Sequence, residues 1–337
     1  MTRPPVRLVL VEDSATQRAY LARVLEGDGD ITVVAQAEDG DAAVAAVARH
    51  RPDVVTMDLD LPGHGGHDAI ARIMAETPTP ILVLSGVIDA NSAAPAVAAL
   101  AAGAVDALPK PLRWDAAAER GLRRQVRTVA SVPVVGRRRR ARAAPARRGG
   151  AGPVVGIAAS TGGPAALATL LRVLPPIHAP VLVVQHIHPS FTGGFVTWLD
   201  AEVPAPVHSA TDGTVPLPGH VYIAPGGAHL RLGTAGRMLL DPEPPAVHRP
   251  SADELFLSLA ERTGAAGVGV SLTGMGEDGA RGLLEMRRAG ARTFAQDEAS
   301  CVVFGMPRAA RELGAVQRLL APEQLAGAVA AAVGELA

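Results

Sequence analysis

The sequence contains one cysteine, Cys301, in 337 residues. That excludes an internal disulfide and suits a reducing cytosol. Aromatic residues make up only 3% of the chain, so its cores must be built from Val, Leu, Ile and Ala. No apolar run reaches the length of about 20 residues that a bilayer span needs. The opening MTRPPVRLVLVEDS carries a short apolar stretch that acids soon interrupt, and it reads as a first β-strand rather than a signal peptide. Net charge is also nearly absent, at −1, which implies no global attraction to nucleic acid or membrane. These absences together predict a cytoplasmic protein with no direct membrane insertion.

What is present is a hydrophobic fraction of 48% and a charged fraction of 19%, as in a soluble globular protein. The length suffices for two ordinary domains, each with its own core. Composition changes sharply once. Residues 137–148 read RRRRARAAPARR, with seven arginines, no acid and no large apolar residue. Like charges in a row repel, and nothing there can bury a face, so the segment reads as a linker. A nucleic-acid tail or an acidic docking surface would also use such a run, but a solvated tether is the simpler reading. The expected division is a first domain over 1–125, a linker over 126–150 and a second domain over 151–337. No internal repeat is present.

Both halves alternate short apolar runs with helical patterns. Strands are expected at 6–11, 31–35, 53–57, 81–84 and 104–108, with helices such as Thr16–Glu26 and Asp41–Arg49 between them. In the second half they are expected at 154–159, 181–185, 220–224, 267–272 and 292–295. Apolar strands alternating with helices predict βα units, and so an α/β fold of two doubly wound, mainly parallel sheets. Such sheets carry their chemistry at the carboxyl ends of the strands.

In the first half those ends carry a consistent set. The first strand ends in Glu12-Asp13, the third in Asp58 and the fourth in Ser85, and Lys110-Pro111 follow the fifth. Converging carboxylates make a hard oxygen site suited to Mg²⁺. A metal, a lysine and a hydroxyl together can neutralise and hold a phosphoryl group, with Asp58 as its acceptor. Singly, an acidic pair is more often a helix cap and Lys-Pro a loop signal; the set of strand ends argues otherwise.

On the motifs VEDSATQR, VVTMDLDLP, VLSG and GAVDALPKP, residues 6–125 resemble a response-regulator receiver domain of flavodoxin-like form. The resemblance implies phosphorylation of Asp58, switch roles for Ser85 and Lys110, and Mg²⁺ held by Asp13, Asp58 and the carbonyl of Asp60, with help from Glu12. Two departures stand out. The family's MPxMDG is here LPGHGG (Leu61–Gly66), and the usual aromatic three residues before the lysine is Ala107. Both bear on how phosphorylation is transmitted rather than on its chemistry.

The second half opens with VVGIAASTGGPAALATLLRVL. An apolar strand runs into Ser160, then Thr161-Gly162-Gly163-Pro164, then an Ala/Leu-rich helix. Glycines permit a sharp turn, and a hydroxyl at a helix N-terminus meets free backbone N–H groups that can stabilise an oxyanion. Alone, this would be read as a plain Ser/Thr cap. The next strand, however, ends in His186, a candidate base, and a later one ends in Gly274-Met275-Gly276-Glu277-Asp278-Gly279, which offers an orienting carboxylate. Serine, histidine and acid at three strand ends are recognised as a triad by geometry rather than chain order. His188 is a rival base, and a metal site on His186 and His188 lacks a third ligand at sensible spacing. GMGEDG also fits GxGxxG, with Asp297 about 20 residues on. Glu277 and Asp278 would, however, place negative charge where a pyrophosphate must sit.

GIAASTGGP, VVQHIHPSFT, HRPSADELF, LTGMGEDGARGL and AQDEASCVVFGMPRAA resemble the catalytic domain of the chemotaxis protein-glutamate methylesterases, a Rossmann-like α/β domain. With the receiver, the similarity covers nearly the whole chain apart from the linker. It implies Ser160 as nucleophile, His186 as base, Asp278 as orienting acid, Met275 N–H as oxyanion donor, and a structural role for His248-Arg249-Pro250-Ser251. It further implies demethylation of glutamate γ-methyl esters on methylated chemoreceptors, deamidation of receptor glutamines, and a chemotaxis-type histidine kinase as phosphodonor. Mg²⁺ would serve the receiver, and ester hydrolysis would need no cofactor. The rivals are a transcriptional regulator whose arginines grip DNA, and a dinucleotide-binding output domain. The first needs a compact helical output domain, which a Gly-rich α/β half does not supply.

Overall fold

The computed structural model describes residues 4–62, 65–86, 94–111, 113–132, 153–246 and 248–336. The arginine run at 137–148 and two residues of the LPGHGG segment, 63 and 64, lie outside them. The chain divides into two units, Met1–Gly136 and Arg137–Ala337.

The first unit alternates strand and helix throughout: β1 (Val6–Val11), α1 (Ala15–Glu26), β2 (Ile31–Ala37), α2 (Gly40–His50), β3 (Val54–Asp58), α3 (Gly65–Glu76), β4 (Ile81–Ser85), α4 (Ala94–Ala102), β5 (Asp106–Pro109) and α5 (Ala116–Ala130). Its strands pair in parallel in the order β2-β1-β3-β4-β5. Strands covered on both faces must be apolar along their whole length, and Leu8, Val9, Leu10, Val54, Val55, Leu82 and Val83 are fully buried. Helices start where a short polar side chain can take up a free N–H. Asp39 accepts from Ala42 N–H at 2.8 Å, and Asp115 from Ala117 and Ala118 N–H at 2.9 and 2.8 Å. The last helix runs past the expected domain boundary. Leu122, Val126 and Val129 bury one of its faces, and Val132 is buried beyond its end. Val126, Val129 and Val132, in a stretch read from the sequence as linker, therefore belong to the first unit's core.

The second unit runs β6 (Val154–Ala159), α6 (Gly163–Val173), β7 (Val181–Gln185), α7 (Pro189–Glu202), β8 (Val207–Ser209), β9 (Val221–Ile223), β10 (His229–Leu232), β11 (Met238–Asp241), α8 (Ala252–Thr263), β12 (Gly267–Ser271), α9 (Ala280–Arg288), β13 (Arg292–Gln296), α10 (Met306–Glu312), β14 (Arg318–Leu320) and α11 (Pro322–Leu336). Seven strands form one parallel sheet in the order β14-β13-β12-β6-β7-β9-β8, and β10 and β11 make a separate antiparallel pair. The short strands β8, β10, β11 and β14 were not expected. Each has only three or four residues, too few for alternation to register. The few aromatics are used inside, with Phe191, Phe195 and Phe256 fully buried. The chain builds outward from β6 first through β7 and then, in the other direction, through β12. This reversal opens a crevice at the carboxyl ends of β6 and β12.

Candidate active site

In the first unit, the carboxylates of Glu12, Asp13 and Asp58 come together, each with an oxygen within 4.8 Å of the others. Lys110 Nζ bridges two of them, at 2.9 Å from Glu12 Oε2 and 2.6 Å from Asp58 Oδ2. Lys110 is the only lysine among 32 basic residues, a signal the sequence reading passed over. A compact ammonium can point separate protons at two carboxylates, whereas guanidinium is built for planar pairing. Burial works against the Lys110 charge, but its bonds to Asp58 and Glu12 prevail and raise its pKa. Burial also raises Glu12, against the pull of Lys110. Asp60 offers its N–H to Asp58 Oδ1 at 3.2 Å. Ser85 is buried at the end of the neighbouring strand, and its carbonyl accepts from Lys110 N–H at 2.7 Å. Three carboxylates against one ammonium leave a net negative oxygen cluster, a donor set that fits a hard divalent cation.

In the second unit, Ser160 and His186 are the first residues beyond a cross-strand pair, Ala159 and Gln185, at the ends of β6 and β7. The last ladder bond, His186 N–H to Ala159 carbonyl at 2.9 Å, sets them side by side. The turn after Ser160 needs Gly162, whose φ is +74°. A Cβ there would also meet Val302 Cβ at 2.6 Å. The loop after β12 comes in from the other side. A Cβ on Gly274 would lie 2.7 Å from Ser160 Cβ, which puts the next residue, Met275, beside the serine.

His186 Nε2 lies 2.8 Å from Asp278 Oδ2, with both side chains about nine-tenths buried. The other ring nitrogen, Nδ1, is buried without a hydrogen-bond partner. Asp278 is heavily supported. It accepts from Ser251 Oγ–H at 2.7 Å, from Ala252 N–H at 2.7 Å and from Asp253 N–H at 3.1 Å. Those two amides open the first turn of α8, where the helix dipole favours an anion. Burial alone would raise the Asp278 carboxyl. The bond to His186 and the donors from Ala252 and Ser251 outweigh it and hold the group well below the usual carboxylate range. Glu277, the neighbouring acid, is exposed.

The segment His248–Ser251, read from the sequence as structural, is built into this site. Ser251 holds the acid, and the His248 ring stacks on His186 with centroids 4.2 Å apart and planes 12° from parallel. Partial burial, and then the nearby His186, push the His248 imidazole below its ordinary range. His229, fully buried, accepts from Ser251 N–H at 3.0 Å. Nothing in the spacing of these histidines signalled the contacts, because 62 residues of chain separate His248 from His186. The rival base His188 instead caps α7, its Nδ1 accepting from Ser190 N–H at 3.3 Å. Asp297 closes its own turn, accepting from Ser300 N–H at 2.9 Å.

The CheB methylesterase family matches residues 155–329, and the response regulator receiver domain family matches residues 8–120. A protein-glutamate methylesterase/protein-glutamine glutaminase of Anaeromyxobacter dehalogenans is 48% identical over 95% of each chain. One of Myxococcus xanthus is 45% identical over 93% of this chain and 90% of its own. Among solved structures, the Thermotoga maritima CheB methylesterase catalytic domain superimposes with a TM-score of 0.52 at 36% identity, covering 56% of this chain and all of that one. No helix among the described residues is long and apolar enough to cross a membrane.

Proposed function

The chain belongs to the CheB methylesterase family, with a response-regulator receiver domain ahead of the esterase domain, and from that premise we propose that it hydrolyses glutamate γ-methyl esters, and deamidates glutamines, on chemoreceptor proteins. Ser160 is the nucleophile, His186 the base and Asp278 the acid that fixes the imidazole. The observation that carries this reading is the His186–Asp278 pair, 2.8 Å apart with Nδ1 left buried and unpartnered. With Nε2 committed to the carboxylate, Nδ1 is the atom available for the serine proton.

The proposed chemistry is acyl transfer through Ser160, whose Oγ is not hydrogen-bonded to His186 Nδ1 in this structure. Ser160 Oγ attacks the γ-carbonyl as Nδ1 takes its proton, and Met275 N–H receives the charge that develops on oxygen. The protonated imidazole returns the proton to the departing group, which leaves as methanol from an ester or ammonia from an amide. Water, deprotonated by the same nitrogen, cleaves the acyl-enzyme and restores Ser160. Asp278 stays ionised throughout, because four hydrogen-bond donors outweigh the cost of burying its charge.

Control comes from the first unit. Asp58 accepts a phosphoryl group from a chemotaxis-type histidine kinase, Lys110 pairs with the added charge, and Ser85 supports an oxygen. Mg²⁺ would be held by Glu12, Asp13, Asp58 and the carbonyl of Asp60, where it offsets the negative charge of the phosphoryl group. The deciding experiment measures methanol release from methylated receptor membranes, beside a DNA mobility-shift control for the transcriptional alternative. Ser160→Ala is expected to lower release by on the order of 10³-fold or more. Full activity in that variant removes the serine mechanism.

A further inference from the structure

Gln185 stands between the nucleophile and the base, yet no step of the reaction uses it. It ends β7 and is 3% exposed. Its side-chain Nε2 donates one proton to the Ser160 carbonyl and the other to the His186 carbonyl, each at 2.9 Å. The orientation of the amide is fixed by this pairing, since a flipped amide would set Oε1 against two carbonyl oxygens. Its Oε1 is buried with no partner. An unpaired buried acceptor is costly, so an apolar side chain would be the better filler if space were all that mattered. The two donors are what the amide adds.

Their position explains what they do. Backbone pairing between β6 and β7 ends at Ala159 and Gln185, with His186 N–H on the Ala159 carbonyl as the last rung. Beyond it Ser160 turns toward α6 and His186 toward α7, so no further rung can form. The Gln185 amide supplies a side-chain rung there, tying the backbones of the two residues that must exchange a proton. Gly163 leaves room for it: a Cβ on that residue would lie 2.1 Å from Gln185 Oε1 and 2.9 Å from Ala159 Cβ.

We propose that Gln185 is a positioning residue that clamps Ser160 and His186 in register by bonding both of their carbonyls. The inference rests on the assignment of those two residues as nucleophile and base. Small errors in placing a nucleophile against its base cost rate steeply, up to about 10²-fold for an ångström. The clamp therefore acts on the chemical step rather than on substrate binding.

The test uses the full chain and two readouts: methanol release from methylated receptor membranes, and the labelling rate of Ser160 by a fluorophosphonate. Gln185→Met keeps the volume and removes both donors. It is expected to lower kcat and the labelling rate together, by roughly 10- to 100-fold, with KM and the melting temperature near wild type. Wild-type kcat and labelling in Gln185→Met, with Ser160→Ala inactive, overturns the clamp and leaves the serine mechanism standing. Activity in Ser160→Ala overturns the mechanism on which the clamp depends.

Discussion

Asp278 shows how much of this site is decided at the level of single residues. Two acids sit side by side in the motif GMGEDG, and local sequence treats them alike. One faces solvent, and the other takes hydrogen bonds from His186, Ser251, Ala252 and Asp253. Asp278→Asn is expected to lower kcat by on the order of 10³-fold while leaving the fold intact, because the histidine loses the charge that orients it. Glu277→Gln should stay within twofold of wild type, and a larger loss there than in Asp278→Asn reverses the assignment. Ser251→Ala removes one donor to a charged acceptor, an interaction worth about 1.5 kcal/mol. Methanol release is expected to drop roughly tenfold, and an unchanged rate would show that the α8 amides hold the carboxylate by themselves.

Among the elements, the pairing of β5 with α5 carries a pH dependence. Asp106 on β5 bonds to Gln125 of α5, and its other oxygen accepts from Ala107 N–H at 2.8 Å. Burial dominates over both bonds and pushes its carboxyl up to about 6. The folded protein therefore prefers the neutral acid. Its contribution to stability is fully present below the ordinary carboxylate range, near pH 4, and is lost as pH rises through about 6. Asp106→Asn keeps the shape and removes the titration. The gain in melting temperature from that substitution is expected to be small below the ordinary carboxylate range and to grow as pH rises to about 6, levelling above it, as read in thermal melts of the full chain. A gain that is constant across the range would show that Asp106 does not titrate there.

For the molecule as a whole, the question is how phosphorylation in one unit reaches the chemistry in the other. A small phosphodonor is expected to label Asp58 and raise methylesterase activity, while Asp58→Asn should lose the label and keep basal turnover. Persistent labelling in that variant moves the acceptor elsewhere. Two units in one chain have a high effective concentration for each other, so even a weak inhibitory encounter would lower basal activity. The fragment 151–337 is accordingly expected to demethylate faster than the unphosphorylated full chain. Ala107 stands where the receiver family usually carries an aromatic, which is expected to narrow the difference between the two forms, and a ligand shifts a population only by that difference. Activation by phosphate should therefore be smaller than activation by deleting the receiver. A fragment slower than the full chain would make the receiver an assistant to catalysis.

The two parallel sheets were legible in the sequence because short apolar runs such as 8–11 (LVLV) and 154–159 (VVGIAA), alternating with helical patterns, read as strands buried on both faces. The strand-end rule then led from those runs to Glu12, Asp13, Asp58, Ser85, Ser160 and His186 without any coordinates. The short strands β8, β10, β11 and β14 were not legible, since each is broken by a polar residue or too brief to show alternation, whereas β5 and β9, equally short, sit in longer apolar runs. Helix α5 crosses the domain boundary expected at 125 because Val126 and Val129 are set among Arg127, Thr128 and Ala130, so one face is apolar and the average is not. What tertiary structure alone decided was which distant groups meet. The stacking of His248 on His186, the capture of Asp278 by the start of α8, and the bridging of two carbonyls by Gln185 all join residues through space. Sequence spacing encodes contacts within one helix or strand, and contacts between loops at a sheet's edge exist only once the whole sheet has formed.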